Sequence, residues 1–136
     1  MFKSILVATL AASMAVPAAG AFAATSADCA VKQVTAARPL IERASWGGRG
    51  VRERLAGATL YVPAEPGLTT DWLKRVADTH QAQMAAGTPM KDCVFAVPGS
   101  QIEVSSNNSG FLMVAISSKD AGVAKEILRR AELAVK

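Results

Sequence analysis

The chain has 136 residues, 51% of them hydrophobic, and its 15 lysines and arginines outnumber its 11 acids for a net charge of +4. That length accommodates one compact domain and excludes a second. One histidine and two cysteines are too few ligands for a closed four-ligand zinc site built from Cys and His.

The first residues place a single cation, Lys3, before an apolar run that Pro17 and Gly20 close, followed by Ala21-Phe22-Ala23 as an A-x-A cleavage site. This is the pattern of a secretory signal peptide over 1–23. A membrane anchor is the competing reading, because Ile5 to Ala24 carries no charge. The strongly apolar part stops at Val16, however, and a spanning helix needs about 20 such residues. Cys29 follows Ser26, Ala27 and Asp28, which is no lipid-attachment box. The expectation is an exported chain, periplasmic or secreted, with no transmembrane segment after cleavage.

An oxidising compartment favours pairing of Cys29 with Cys93 over free thiols or a metal thiolate. Closing that loop stabilises the fold by roughly 4 kcal/mol in the chain-entropy account.

Residues 24–56 form a basic N-terminal arm. From Lys32 to Arg54 six basic residues face two acids, whereas Leu55 to Lys136 carries eight of each. The arm contains Trp46-Gly47-Gly48-Arg49-Gly50, whose glycines suit an anion-binding nest. Arg49, Arg52 and Arg54 are the candidate contacts to an anion or partner. An exported protein meets little nucleic acid, so anionic lipid head groups, cell-surface polymers or an acidic protein face are the expected targets. The alternative is a solvated linker with its tryptophan tucked against the core.

Residues 57–136 read as a βαββα domain. Ala58 to Pro63 is rich in β-branched and aromatic residues and ends in Pro66-Gly67, which predicts a strand. A helix follows, capped by Thr69, with Leu68 and Leu73 placed for a hydrophobic staple, Asp71 in its first turn, and Gly87 and Pro89 closing it. Leu73, Val76, Ala77, His80 and Met84 share one face. Val94 to Val97 is a short strand or a packed lead-in. Ile102 and Val104 alternate with polar neighbours, Asn107 to Gly110 supplies a turn, and Phe111 to Ile116 is apolar on both faces, the mark of a central strand. Ser118 is placed to cap a last helix, with Ala124, Ile127, Leu128, Ala131 and Val135 as its buried stripe and Glu126 with Arg130 as an exposed pair.

This element order resembles the ferredoxin-like superfold without its last strand: an α+β two-layer sandwich, two helices on one face of an antiparallel sheet. Heavy-metal-associated domains of that superfold bind copper through a Cys-x-x-Cys between first strand and first helix. Here that loop reads Pro63-Ala64-Glu65-Pro66-Gly67-Leu68-Thr69 and has no cysteine, so the activity does not carry over. From Leu60 onward, Y-V-P-A-E-P-G-L-T-T-D-W-L, G-F-L-M-V-A-I-S-S-K-D and E-I-L-R-R-A-E are similar to small exported bacterial proteins, a resemblance that implies no activity and no site.

Enzyme chemistry finds little support. No serine sits in a Gly-x-Ser-x-Gly elbow, no phosphate loop or dinucleotide fingerprint occurs, and His80 is the sole histidine. Glu65 and Asp71 are two carboxylates near one loop, but Asp71 already has a helix-end role. His80 and Met84 stand one helical turn apart, and Met90 follows a turn that brings the chain back. Imidazole with thioethers suits copper(I). Methionine on an apolar stripe is also ordinary core filling, and a histidine there is commonly a hydrogen-bonded core residue. The sequence therefore points to a non-catalytic exported binding or accessory module without a cofactor. It would act on an unknown protein or anionic surface, or form a homodimer through the sheet edge that the missing strand leaves open. A periplasmic copper-binding protein using His80, Met84 and Met90 is the alternative.

Overall fold

The computed structural model describes residues 34–45, 47–87 and 90–135. The signal peptide, Cys29, Trp46 and Pro89 lie outside the described residues. Six principal elements follow in the order β1 (Ala36–Ser45), β2 (Val51–Pro63), α1 (Thr70–Ala85), β3 (Gln101–Ser106), β4 (Phe111–Ser117) and α2 (Ala121–Ala134). The four strands form one antiparallel sheet in the order β1-β2-β4-β3, with α1 packed toward β3 and α2 toward β2 and β1. The architecture is the expected α+β ferredoxin-like two-layer sandwich.

The residues expected to be an unpaired arm supply a strand. β1 pairs along the outer edge of β2 from Ala36 opposite Tyr61 to Ser45 opposite Val51. It occupies the place that the superfold gives to its last strand, and Val34 bridges Val135 in parallel just past the end of α2. A strand that the superfold threads after the second helix is here threaded before the first, joined to β2 by a hairpin. The edge expected to stand open beside β2 is therefore filled, and the outer edges of the sheet are β1 and β3.

Alternation sets the core. Ala56, Ala58, Leu60 and Val62 of β2 and Leu112, Val114 and Ile116 of β4 turn toward the helices and are buried. Leu73 and Ala77 of α1, and Ala124, Ile127 and Ala131 of α2, close over them. Val94 to Ala96 is one turn of 3-10 helix rather than a strand, and it places Phe95 at the centre of the core. Between Leu40 and Ile41 the pairing of β1 with β2 shifts by one, leaving Ala56 as an extra residue. Beside this bulge Gly57 has φ 154°, and a Cβ there would collide with the Ile116 carbonyl. Only glycine fits.

The helix ends follow the expected chemistry with one change. The Thr69 side chain accepts from the Trp72 amide at 3.2 Å, and Gly87 leaves α1 with φ 87°. At α2 the cap is Asp120, whose Oδ1 accepts from the Val123 amide at 3.0 Å, not Ser118. Ser118 instead accepts from the Asp120 amide at 3.2 Å, a local turn that delays the helix by two residues. In the β3–β4 hairpin, Asn107 Oδ1 accepts from the Ser109 amide at 3.1 Å, and Gly110 takes φ 81°.

Candidate functional site

Beyond the bulge, β1 and β2 continue as a two-stranded ribbon. Ile41 to Ser45 and Val51 to Arg54 are all exposed, so this ribbon adds nothing to the core. Its strands are linked by side chains across the ladder: Arg43 Nε lies 2.9 Å from Glu53 Oε1, and Arg54 pairs with Glu42. Arg54 also donates to the Lys119 carbonyl at 3.1 Å, tying the ribbon to the start of α2. Those pairings are what the residues opposite one another in register supply. Arg49 sits in the connecting turn, exposed, and Arg52 is exposed on β2. Of the three expected contacts, Arg49 and Arg52 are exposed and Arg54 holds the base of the ribbon. Ile41 and Val51 are apolar side chains on the same ribbon, 45% and 62% exposed. Gly47 and Gly48 both have positive φ, 47° and 76°. Gly50 adds a third positive φ, 116°, so the turn takes its shape from its glycines.

His80 lies elsewhere, on the buried face of α1. Its Nδ1–H donates to the Val76 carbonyl at 2.7 Å, and its ring rests against Phe95 with centroids 6.1 Å apart. Met84 and Met90 are half-buried against the same core cluster, so all three expected copper ligands pack at the core. Among the described residues no group of three or more His, Cys, Asp or Glu side chains is placed to hold a metal ion. Cys93 is buried at the entry to the 3-10 turn. Glu65 and Asp71 are exposed on the loop and the first turn of α1.

The segment after Met90 is held by α2. Arg130 Nη1 donates to the carbonyls of Cys93 at 3.0 Å, Ala96 at 3.3 Å and Met90 at 3.5 Å, while its Nε binds Glu126 Oε1 at 2.7 Å. The Glu126–Arg130 pair expected on a solvated face is therefore an anchor for a loop, with the Arg130 side chain only 16% exposed. Glu126 also accepts two bonds from Arg129, whose Nη2 reaches Asp92 at 2.9 Å. Hydrogen bonds from Arg129 and then Arg130 hold the Glu126 carboxyl down at about 2. The same bonds to Glu126 and Asp92 raise the Arg129 guanidinium.

The sheet face turned away from the helices carries a feature that the sequence reading passed over. Thr35, Ala36, Arg38, Tyr61 and Phe111 line a cleft of ≈ 280 Å³. The signal was the alternation itself: odd positions of β2 and β4 put Tyr61 and Phe111 on the side opposite Leu60 and Leu112. No helix among the described residues is long and apolar enough to cross a membrane. Comparison of the chain with protein-family models, with curated proteins and with solved structures gives no match.

Proposed function

We propose that this protein is a non-catalytic exported binding module whose β1–β2 ribbon docks onto an anionic surface. One observation carries the reading: both strands of the ribbon are exposed from Ile41 to Ser45 and from Val51 to Arg54, and strand pairing, cross-strand ion pairs and the Arg54 bond to the Lys119 carbonyl hold it in place of a buried apolar face. A two-stranded ribbon without a buried face is marginal on its own. Arg43, Arg49, Arg52 and Arg54 against Glu42 and Glu53 leave it net positive. Charge of that sign on a projection favours approach to acidic lipids, polymers or protein faces. The export part rests on the leader sequence, and any homodimer would use the outer edges of β1 or β3.

Co-sedimentation of the mature protein with vesicles containing phosphatidylglycerol tests the reading. Binding should weaken steeply as salt shortens the Debye length from about 10 Å at 0.1 M to about 3 Å at 1 M. Arg49→Gln with Arg52→Gln should weaken it at low salt, while Lys125→Gln on α2 should not. Retention unchanged in the double variant would end the proposal.

A second reading, a copper(I) site, has one observation in its favour. With Nδ1–H committed to Val76, a neutral His80 keeps its lone pair on Nε2, the orientation that a backbone carbonyl imposes on metal-binding histidines. Native mass spectrometry with and without Cu(I), on wild type and His80→Ala, separates the two readings.

A further inference from the structure

We infer that the cleft on the open face of the sheet is a binding site for a small single-ring aryl carboxylate. Tyr61 lies opposite Met113, and Phe111 is two residues along β4 from Met113, so the two rings are diagonal neighbours on one face of adjacent strands. Together with Thr35, Ala36 and Arg38 they line the cleft. Arg38, on the neighbouring strand, stands over the Tyr61 ring with its guanidinium carbon 5.9 Å from the centroid.

The ligand class follows from the groups present. Arg38 is exposed, and among the described residues none of its N–H donors has a carboxylate or carbonyl partner. Placed over a ring, a guanidinium keeps its N–H donors for a planar acceptor, and carboxylate is the acceptor whose two oxygens match that fork. The Tyr61 and Phe111 rings offer offset or edge-to-face contact to a third ring. At ≈ 280 Å³ the cleft is below the size of drug-scale pockets, which begin at about 300 Å³, so it has room for one ring and one short acid arm. Thr35 cannot compete for the acid, because its hydroxyl donates to the Tyr61 carbonyl at 3.1 Å. The site is separate from the basic ribbon, and neither depends on the other.

The test is an amide chemical-shift titration of the mature protein with phenylacetate, 2-phenylethanol and acetate. Phenylacetate should give saturable shifts at Thr35, Ala36, Arg38, Tyr61 and Phe111, with a Kd of about 1 mM, the range open to so small a ligand. Arg38→Gln should raise that Kd at least about fivefold without changing Tm, since the side chain is exposed. Phe111→Leu, which keeps apolar volume and removes the ring, should raise it too. Neutral 2-phenylethanol and ring-free acetate should each bind at least about fivefold more weakly. Absence of saturable shifts at these residues, or a phenylacetate affinity unaltered by Arg38→Gln, would overturn the assignment. Equal affinity for 2-phenylethanol would do the same to the carboxylate, and equal affinity for acetate to the ring.

Discussion

Gly57 and Ile116 approach so closely that no side chain fits between them: a Cβ on Gly57 would meet the Ile116 carbonyl oxygen well inside contact distance and its carbonyl carbon at 2.9 Å. The approach is where the β1–β2 bulge meets the β2–β4 ladder, and the glycine's φ of 154° is one that L side chains rarely adopt. Gly57→Ala should therefore destabilise the protein by more than about 3 kcal/mol, from backbone displacement and conformational strain together. Urea unfolding of the variant measures it. Gly48→Ala, where nothing lies within 4 Å, carries only the cost of its positive φ and should lose about 1 kcal/mol.

Arg130 gathers three backbone carbonyls from a segment with little regular structure of its own. Removing the guanidinium strips Cys93 and Ala96 of a donor in a part-buried setting, so Arg130→Gln should cost about 2 to 3 kcal/mol. Arg130→Lys should recover only part of this, because an ammonium cannot present the same planar fork. Arg129 is the internal comparison. Its ion pairs are solvent-exposed, and Arg129→Gln should change stability by less than about 1 kcal/mol. Thermal unfolding of the three variants side by side gives the order.

The same network fixes an acid limb. The Glu126 carboxyl titrates at about 2 in the folded protein against an ordinary value of 4.5. A carboxylate with a depressed folded pKa stabilises above its unfolded pKa, and that contribution is lost as pH falls through the folded value. The expected window is thus from about pH 4.5 down to about pH 2. Glu126→Gln should flatten the pH dependence of Tm within that window and leave its slope above pH 5 unchanged.

What the sequence revealed and what it hid divide along the range of the forces involved. The start of α1 was legible because Thr69, Leu68 and Asp71 act within one turn, and the central position of β4 because Phe111 to Ile116 is apolar on both faces. β1 was not legible. Ala36 to Ser45 has no alternation and contains Pro39, and its partner begins Val51-Arg52-Glu53-Arg54, which reads as a charged linker. Both become strands through pairing with each other and through cross-strand charges, interactions that a single segment does not display. Gly57 likewise read as a domain boundary when it marks a close approach inside a long strand. Arg130 read as a surface residue because the carbonyls it collects have no sequence signature. Of the candidate residues, the ribbon arginines and His80 were visible as types, whereas the Tyr61–Phe111 cleft needed the register between β2 and β4.

The proposed Cys29–Cys93 disulfide has a geometric consequence. Val34 bridges Val135, and Arg130, about 8 Å back along the helix, holds the Cys93 carbonyl. A Cys29–Cys93 bond would add a covalent tie to the segment that Arg130 holds. Non-reducing peptide mapping of natively exported protein should place both cysteines in one linked fragment. Replacing both by serine should lower stability by about 2 to 4 kcal/mol. Two alkylatable thiols in the native protein would refute the pairing.

His80 decides between packing and copper through the same two substitutions. Its hydrogen bond goes to a helix carbonyl, Val76, that already has a backbone donor, so losing it leaves no orphaned partner. The cost of His80→Ala must come from the cavity beside Phe95, and about 2 to 3 kcal/mol is expected in metal-free protein. Met84→Leu, nearly volume-conserving on a half-buried site, should cost less than about 1.5 kcal/mol. Under the copper reading the pattern inverts: both variants melt like wild type without metal, and both erase a Cu(I)-dependent rise in Tm, because a ligand stabilises only the fold that holds its site. The packing pattern is the expected one. Thermal scans of the three proteins with and without Cu(I) check it, and an apo His80→Ala that melts with wild type would rule it out.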